Sequence, residues 1–481
     1  MTPILLLEIN EVPWRLIDRY RDDPSLPNLR EFFDRSTQFT SVAVDSGELS
    51  PWVTWPTLHR GISNERHRVR DLGQDPATFL GTTIWEDLRA AGHSIGVCGS
   101  LQSWPPIDPG PEGFYIPDTF AQDARCIPDH VSPLQAFNLA QVRRNGRIVS
   151  RGLPPPGELL EILGSLRRSG VSARTIARIA SGLIRERADR RLVARRPVYQ
   201  TLLFWDVFKH HFDPLRPPAI STFFTNHVAG VMHRFWHDVF PEDFQARQVE
   251  PAATQEPLMR FALGVLDDML RTAMSWCRTN PALAVVFASS MGQGAVHRES
   301  HQGAQLLVRD FDLLMRVSGA RAGEYDRRMA MAPQVAVGIA DDGRRREIRH
   351  DLESISTESG SRFVRVSEIG DNLSVTIGTP LLGELRDAPL RIRGKQVSLA
   401  EAGLALQDVE AGTGYHVPQG VLSVLNPDGG APLNDARAEV PADAIKGWLM
   451  AIAREGRPGI DAMGAATRSA DLRVGAEALC A

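Results

Sequence analysis

Two histidines four residues apart stand in the run Thr225-Asn226-His227-Val228-Ala229-Gly230-Val231-Met232-His233-Arg234-Phe235-Trp236-His237. If the run is helical, Asn226, His233 and His237 share a face, because separations of 7 and 11 residues are close to whole numbers of turns. An i, i+4 histidine pair can hold one metal ion, although Phe235 and Trp236 beside it fit packing equally well. Near the N-terminus an apolar run ends in Asn10, flanked by Glu8 and Glu11. Asparagine offers a carbonyl oxygen without charge, so it would hold Zn²⁺ more weakly than an acid. Either flanking carboxylate could supply the charge; alternation along a strand puts Glu8 on the face of Asn10, but the spacing selects neither. Two more pairs, His210-His211 and His297 with His301, are local; the second could supply ligands if its loop folds back, but exposed loop positions account for it more readily than ligation does. Imidazole and oxygen donors brought together would suit a divalent cation and Lewis-acid chemistry.

Those residues need a scaffold. With 481 residues, 43% apolar and 23% charged, the chain is long enough for a large α/β domain with insertions and a substantial core. A net charge of −4 gives no global attraction to nucleic acid or anionic membrane. Cys98, Cys126, Cys277 and Cys480 are far apart, which argues against a disulfide framework or a structural zinc site. No run is long and apolar enough for a membrane span, and no signal peptide is recognisable, so a cytoplasmic protein is expected. Ile4 to Ile9 reads as a strand and Trp14 to Tyr20 as a helix, followed by a helix at Pro27 to Phe33 and a strand at Phe39 to Val44. Thr82 to Ala91 then Ser94 to Cys98, and Leu258 to Cys277 then Ala282 to Ala288, repeat helix and strand. Ala219 to Phe224 is a strand feeding a helix from Asn226 to His237, and Ala442 to Ala453 is a closing helix. This alternation predicts an α/β fold with a doubly wound, mostly parallel sheet.

The stretch Ser50 to Val69, SPWVTWPTLHRGISNERHRV, follows the first strand by about forty residues. With the strand ending at Asn10, the Pro27-Asn28-Leu29 helix, His233-Arg234-Phe235-Trp236 and Gly412-Thr413-Gly414-Tyr415-His416, it resembles the alkaline phosphatase superfamily. The likeness is to the type I phosphodiesterase and nucleotide pyrophosphatase branch in particular. The resemblance implies metal ions gathered at the carboxyl ends of the strands, with a hydroxyl nucleophile among them. His416 falls on the family's late ligand histidine and His233 on the histidine of D-x-x-x-H, with Ala229 in place of the Asp. Asn10 stands where the family has a strand-end Asp, and Ser290-Met291 where it has an Asp-His pair. Thr54 takes the nucleophile's place if three residues are missing before Gly61; the ungapped register puts Pro51 there, with Ser50 as the neighbouring hydroxyl.

The resemblance therefore implies a hydrolase of phosphate or sulfate esters or diesters with an altered centre. That centre would hold one divalent ion, zinc or manganese, on His416, His233 and Asn10, with His237 as a further candidate. Thr54 or Ser50 would be the catalytic hydroxyl. The substrate would be a small anion, contacted by Asn226, Ser290 and Gln293, with no nucleic acid or membrane span involved. Two alternatives stand beside it: a catalytically silent member binding an anionic ligand or partner, and a metal-free group-transfer enzyme using the amides and hydroxyls. The expected organisation is a first part of the core at 1–135, an arginine-rich helical insertion or cap at 136–215 and a second part at 216–455. The second part includes a strand-rich excursion at about 333–410, and a loose tail follows at 456–481. The arginines of the insertion, Arg174 and Arg178 among them, are either a solvated helix face or an anion-attracting lid.

Overall fold

The run Ile4–Ile9 forms strand β1 at the centre of the molecule, and every residue in it is buried. Its side chains alternate between two cores. Leu5, Leu7 and Ile9 enter a cluster under the helices Trp14–Tyr20, Pro27–Asp34, Arg196–His211, His227–Val239 and Glu256–Thr279. Ile4 and Leu6 enter another under Pro51–Arg60, Ile84–Ala90 and Ala442–Glu455. A strand apolar on both faces must be covered on both, and this is what makes the sheet doubly wound. The computed structural model describes residues 1–145, 163–244, 255–296, 304–330, 334–378, 389–408, 413–425 and 437–455.

Around β1 lie β2 (Ser36–Val42), β3 (Ile95–Cys98), β4 (Phe114–Ile116), β5 (Ile220–Thr225) and β6 (Ala284–Ala288). The strands Gln419–Leu425 and Glu439–Pro441 complete an eight-stranded sheet. Its order is Glu439–Pro441, β2, Gln419–Leu425, β6, β1, β5, β3, β4. Only Gln419–Leu425 runs antiparallel to its neighbours, so the carboxyl ends of β1, β5 and β6 open side by side at one edge. Ligands of open α/β sheets gather at such an edge. The fold class is the one expected from the alternation of strands and helices.

The strand-rich excursion has its own core. A four-stranded antiparallel sheet (Asp326–Arg328, Gln334–Gly338, Val364–Ile369, Asn372–Ile377) packs against the helix Asp342–Glu353 around Val337, Ile348, Leu352 and Leu373. Leu404–Asp408 pairs with Ala304–Val308, so the strands of this part span 304 to 408 rather than beginning near 333. In the arginine-rich insertion, Ile176, Ile179 and Leu183 of the helix Ala173–Arg185 turn inward. Arg174 and Arg178 are exposed; Arg178 pairs with Asp268 at 3.4 Å and lies over Phe261. No described helix is long and apolar enough to cross a membrane.

The segment Ser50 to Val69 folds into the helix Pro51–Arg60, closed by Gly61 in the left-handed region (φ +66°), whose N–H reaches Thr57 O at 2.9 Å. His67 folds back onto this helix. Its Nδ1 accepts from Val69 N–H (3.0 Å), so Nε2–H donates to Thr57 Oγ1 (2.9 Å), and Thr57 donates in turn to Asp45. The residues that mark this motif in the sequence thus tie the helix to its flanking loops. Burial pushes the Asp45 carboxyl up to about 6, against the hydrogen bonds from Thr57 and Asn64. A carboxyl raised above its unfolded value contributes most below that unfolded value and loses the contribution as pH rises through the folded one. Between pH 4 and 7, denaturant unfolding should therefore show the native protein losing about 2 kcal/mol relative to Asp45→Asn. Parallel pH profiles of the two would overturn this assignment.

Candidate metal centre

Three neighbouring strand ends supply the site. After β1 the chain turns sharply at Asn10 and Glu11, and Glu11 takes a left-handed conformation (φ +59°). Ser289, just past β6, holds this turn from behind: its Oγ donates to Ile9 O at 2.6 Å and accepts from Val12 N at 3.3 Å. β5 runs through Asn226 into the helix His227–Val239, which carries His233. Beyond β6, strand β7 (Gly292–Ala295) pairs antiparallel with Gly414–Val417, placing Gln293 opposite His416. Thr413 N donates to His233 O at 2.9 Å, so this strand pair is fastened to the helix beside it.

Glu11, His233 and His416 converge there and form the cluster able to hold a metal ion among the described residues. His233 Nε2 lies 2.8 Å from Glu11 Oε2, and His416 Nε2 lies 3.4 Å from Glu11 Oε1. The other nitrogen of each ring faces a backbone carbonyl: His233 Nδ1 is 3.0 Å from Gly414 O, and His416 Nδ1 is 2.7 Å from Leu49 O. A carbonyl accepts only, so each Nδ1 carries its proton and the neutral ring presents a bare Nε2 lone pair. Two such lone pairs then face one carboxylate, an arrangement that needs positive charge between them. Either both rings are imidazolium or a cation sits among the three groups. Burial raises the Glu11 carboxyl, but the two imidazoles and their hydrogen bonds outweigh it and hold the group ionised far below the usual carboxylate range. An Nδ1–H bonded to a backbone carbonyl is a usual outer support of a histidine that ligates through Nε2. The donor set suits zinc or manganese, and the residues present fit such an ion.

Of the residues expected at the site, His233 and His416 meet, and Asn10 adjoins them. Its oxygen is turned away: Asn10 Oδ1 accepts from Trp55 Nε1–H at 2.8 Å. Its amide N–H groups reach Glu11 Oε1 and Asn226 Oδ1, both at 2.7 Å. Gln293 donates from Nε2 to Glu11 Oε2 and to Ala229 O (3.2 Å), the residue that occupies the missing Asp position. Asn226 is exposed at the start of its helix. Thr54 and Ser290 are fully buried and bonded to each other, hydroxyl to hydroxyl, at 2.7 Å. Ser50 is half-buried at the N-cap of Pro51–Arg60, its side chain making no cap hydrogen bond, one residue on from the Leu49 carbonyl that His416 grips. His237 is drawn off by Asp238 (Nε2 to Oδ1, 2.8 Å) and by Thr413 Oγ1 (3.2 Å). His297 and His301 lie outside the described residues.

Glu11 completes the cluster; the spacing selected neither carboxylate, and strand alternation only put Glu8 on the face of Asn10. Alternation holds as far as Asn10, and Glu8 does share that face, but there it lies in the core beneath Pro51–Arg60, 2.7 Å from His59 Nε2. The signal for Glu11 was its place one step past the strand end, before Val12-Pro13, where the chain has to turn. A turn residue is not bound by the two-residue period.

No family model and no curated protein matches the chain. Among solved structures, human ectonucleotide pyrophosphatase/phosphodiesterase 5 is similar over 95% of this chain and 96% of its own, at 11% identity and a TM-score of 0.42. The murine protein of that name is similar over 94% and 95%, at 11% and 0.40. The phosphonoacetate hydrolase of Sinorhizobium meliloti 1021, solved with phosphonoacetate, is similar over 94% and 96%, at 13% and 0.38.

Proposed function

We propose that the chain is a hydrolase of phosphate or sulfate esters or diesters, akin to the type I phosphodiesterase branch. It would hold one divalent cation on Glu11, His233 and His416. The observation that carries the reading is the pair of histidines, each locked through Nδ1–H to a carbonyl, with Nε2 turned on one buried carboxylate. A cation held there supplies Lewis-acid polarisation of an ester oxygen.

The chain's own groups then bind and attack. Helix Pro51–Arg60 begins beside the cluster, and its dipole favours an anionic ester at that end. Ser50, at this N-cap, offers the attacking hydroxyl. Thr54 is set aside in this reading because its hydroxyl is buried against Ser290. The exposed Asn226, its Oδ1 held by Asn10, keeps amide N–H donors for a substrate oxygen. A second reading, anion binding without turnover, is favoured by Pro51 standing where the ungapped register puts the nucleophile.

The test is metal content by mass spectrometry on protein purified without chelator or affinity metal, beside His416→Ala, with hydrolysis of bis-p-nitrophenyl phosphate and p-nitrophenyl sulfate. One ion per chain, lost in the variant, is expected. Ser50→Ala should keep the ion and lower turnover by about two orders of magnitude or more. A folded protein without metal would overturn the hydrolase reading; metal without turnover would support the anion-binding one.

A further inference from the structure

We infer that Asn10 and Gln293 are positioning residues that aim the Glu11 carboxylate and leave room on it for a single cation. The inference rests on the metal-centre reading above and concerns side chains that touch neither a substrate nor the ion.

Each carboxylate oxygen has about two lone-pair directions. On Glu11 each oxygen takes one amide N–H, Oε1 from Asn10 (2.7 Å) and Oε2 from Gln293. The remaining direction of each is the one facing an imidazole, Oε1 toward His416 and Oε2 toward His233. The carboxylate is thus clamped from one side by two neutral amides and open on the other only toward the two Nε2 lone pairs.

Neither amide can turn over. Flipping Asn10 would set its NH₂ against the indole N–H of Trp55 and its oxygen against Glu11 and Asn226. Flipping Gln293 would set its oxygen against both Glu11 Oε2 and Ala229 O. Gln293 keeps its orientation although its own Oε1 is buried without a partner. Leaving a buried acceptor bare costs free energy, so the two bonds made by Nε2 are what fix this side chain. Both residues are almost completely buried.

Their neutrality matters as much as their aim. An acid at position 10 or 293 would put a second carboxylate within hydrogen-bond distance of Glu11, which burial disfavours unless another cation or a proton joins them. Amides supply the orienting contacts and add no charge, so the cluster carries one carboxylate for one ion. The hold on Asn10 extends into the core: Trp55 stacks on His59 with ring centroids 5.6 Å apart, and His59 is bonded to Glu8.

The test is titration of the chelator-stripped full chain with Co²⁺, reading affinity by calorimetry and ligand geometry from the visible absorption of bound Co²⁺. The native protein is compared with Gln293→Met, which keeps the bulk and removes the amide. The expected result is about 10- to 100-fold weaker Co²⁺ binding with an altered visible spectrum, while the melting temperature in chelator stays near that of the native protein. Native-like affinity and spectrum would overturn the inference and leave the metal centre standing. A native protein that binds no Co²⁺ would overturn both. Should Gln293→Met fail to fold, Trp55→Phe, which removes the N–H holding Asn10 together with part of the buried ring, decides in its place, with its melting temperature in chelator read beside its affinity. It should weaken Co²⁺ about 3- to 10-fold, and no change would overturn the inference.

Discussion

Glu11→Gly is expected to yield a folded protein that no longer retains a divalent cation, and Glu11→Ala the same loss in a less stable one. Among the described residues the carboxylate is the one charged oxygen donor between His233 and His416, so its removal leaves two imidazoles without the charge that draws a dication in. Loss of affinity beyond about 100-fold is expected, more than for an outer-shell change. The two variants differ mainly in the backbone. Residue 11 sits at φ +59°, where glycine is at ease and a Cβ is strained. Glycine should therefore unfold at about 1 kcal/mol higher stability than alanine in chelator, measured by denaturant titration. Both variants expose Asn10 and Gln293 to the same loss of an acceptor, so that cost cancels in the comparison. Metal retained in either variant would remove Glu11 from the centre. Equal stability of the two would mean that the turn relaxes once the carboxylate has gone.

How far the site was legible depends on which residues obey a local period. β1 obeys the period of two, and both of its cores follow from it; the strand–helix alternation gave the doubly wound sheet for the same reason. His233 and His416 stand on the motifs that carry the resemblance, and the fold brings them together across 183 residues of chain. His237 shows where the period of 3.6 fails. The helix His227–Val239 departs from helical geometry at Phe235 (φ −130°, ψ 29°), between the two histidines, and His237 engages Asp238 and Thr413 where His233 engages Glu11. Thr54 fails for a related reason. The Thr-Trp-Pro pattern lies on a helix, four residues past its N-cap, and that position turns the hydroxyl into the core toward Ser290. Asn10 was placed correctly but with the wrong atom foremost, because its oxygen is claimed by Trp55 from 45 residues away. Nothing local in the sequence announces that bond.

Gly414→Ala should both destabilise the protein and weaken binding of the proposed cation, because this glycine sits where the elements of the centre come closest. A Cβ there would stand 2.5 Å from the carbonyl oxygen of Met232 and 2.8 Å from Gln293 Oε1. Neither neighbour yields easily. The Met232 carbonyl belongs to the helix that carries His233, and Gln293 is buried and held by two hydrogen bonds. Relief must come from moving the strand Gly414–Val417 off the helix. That stretches the bond from His233 Nδ1 to Gly414 O and shifts His416, two residues along the same strand. An overpacked core site of this kind costs about 1–3 kcal/mol, and the loss of histidine support a further 10- to 100-fold in metal affinity. The two readouts separate the causes. If unfolding in chelator weakens while Co²⁺ affinity holds, the strand has moved without disturbing the histidines, and Gly414 O is not what orients His233. If both fall together, the close approach permitted by glycine is a condition of the centre itself. The alanine methyl is small enough that a full collapse of the fold is not expected, which keeps the second measurement possible.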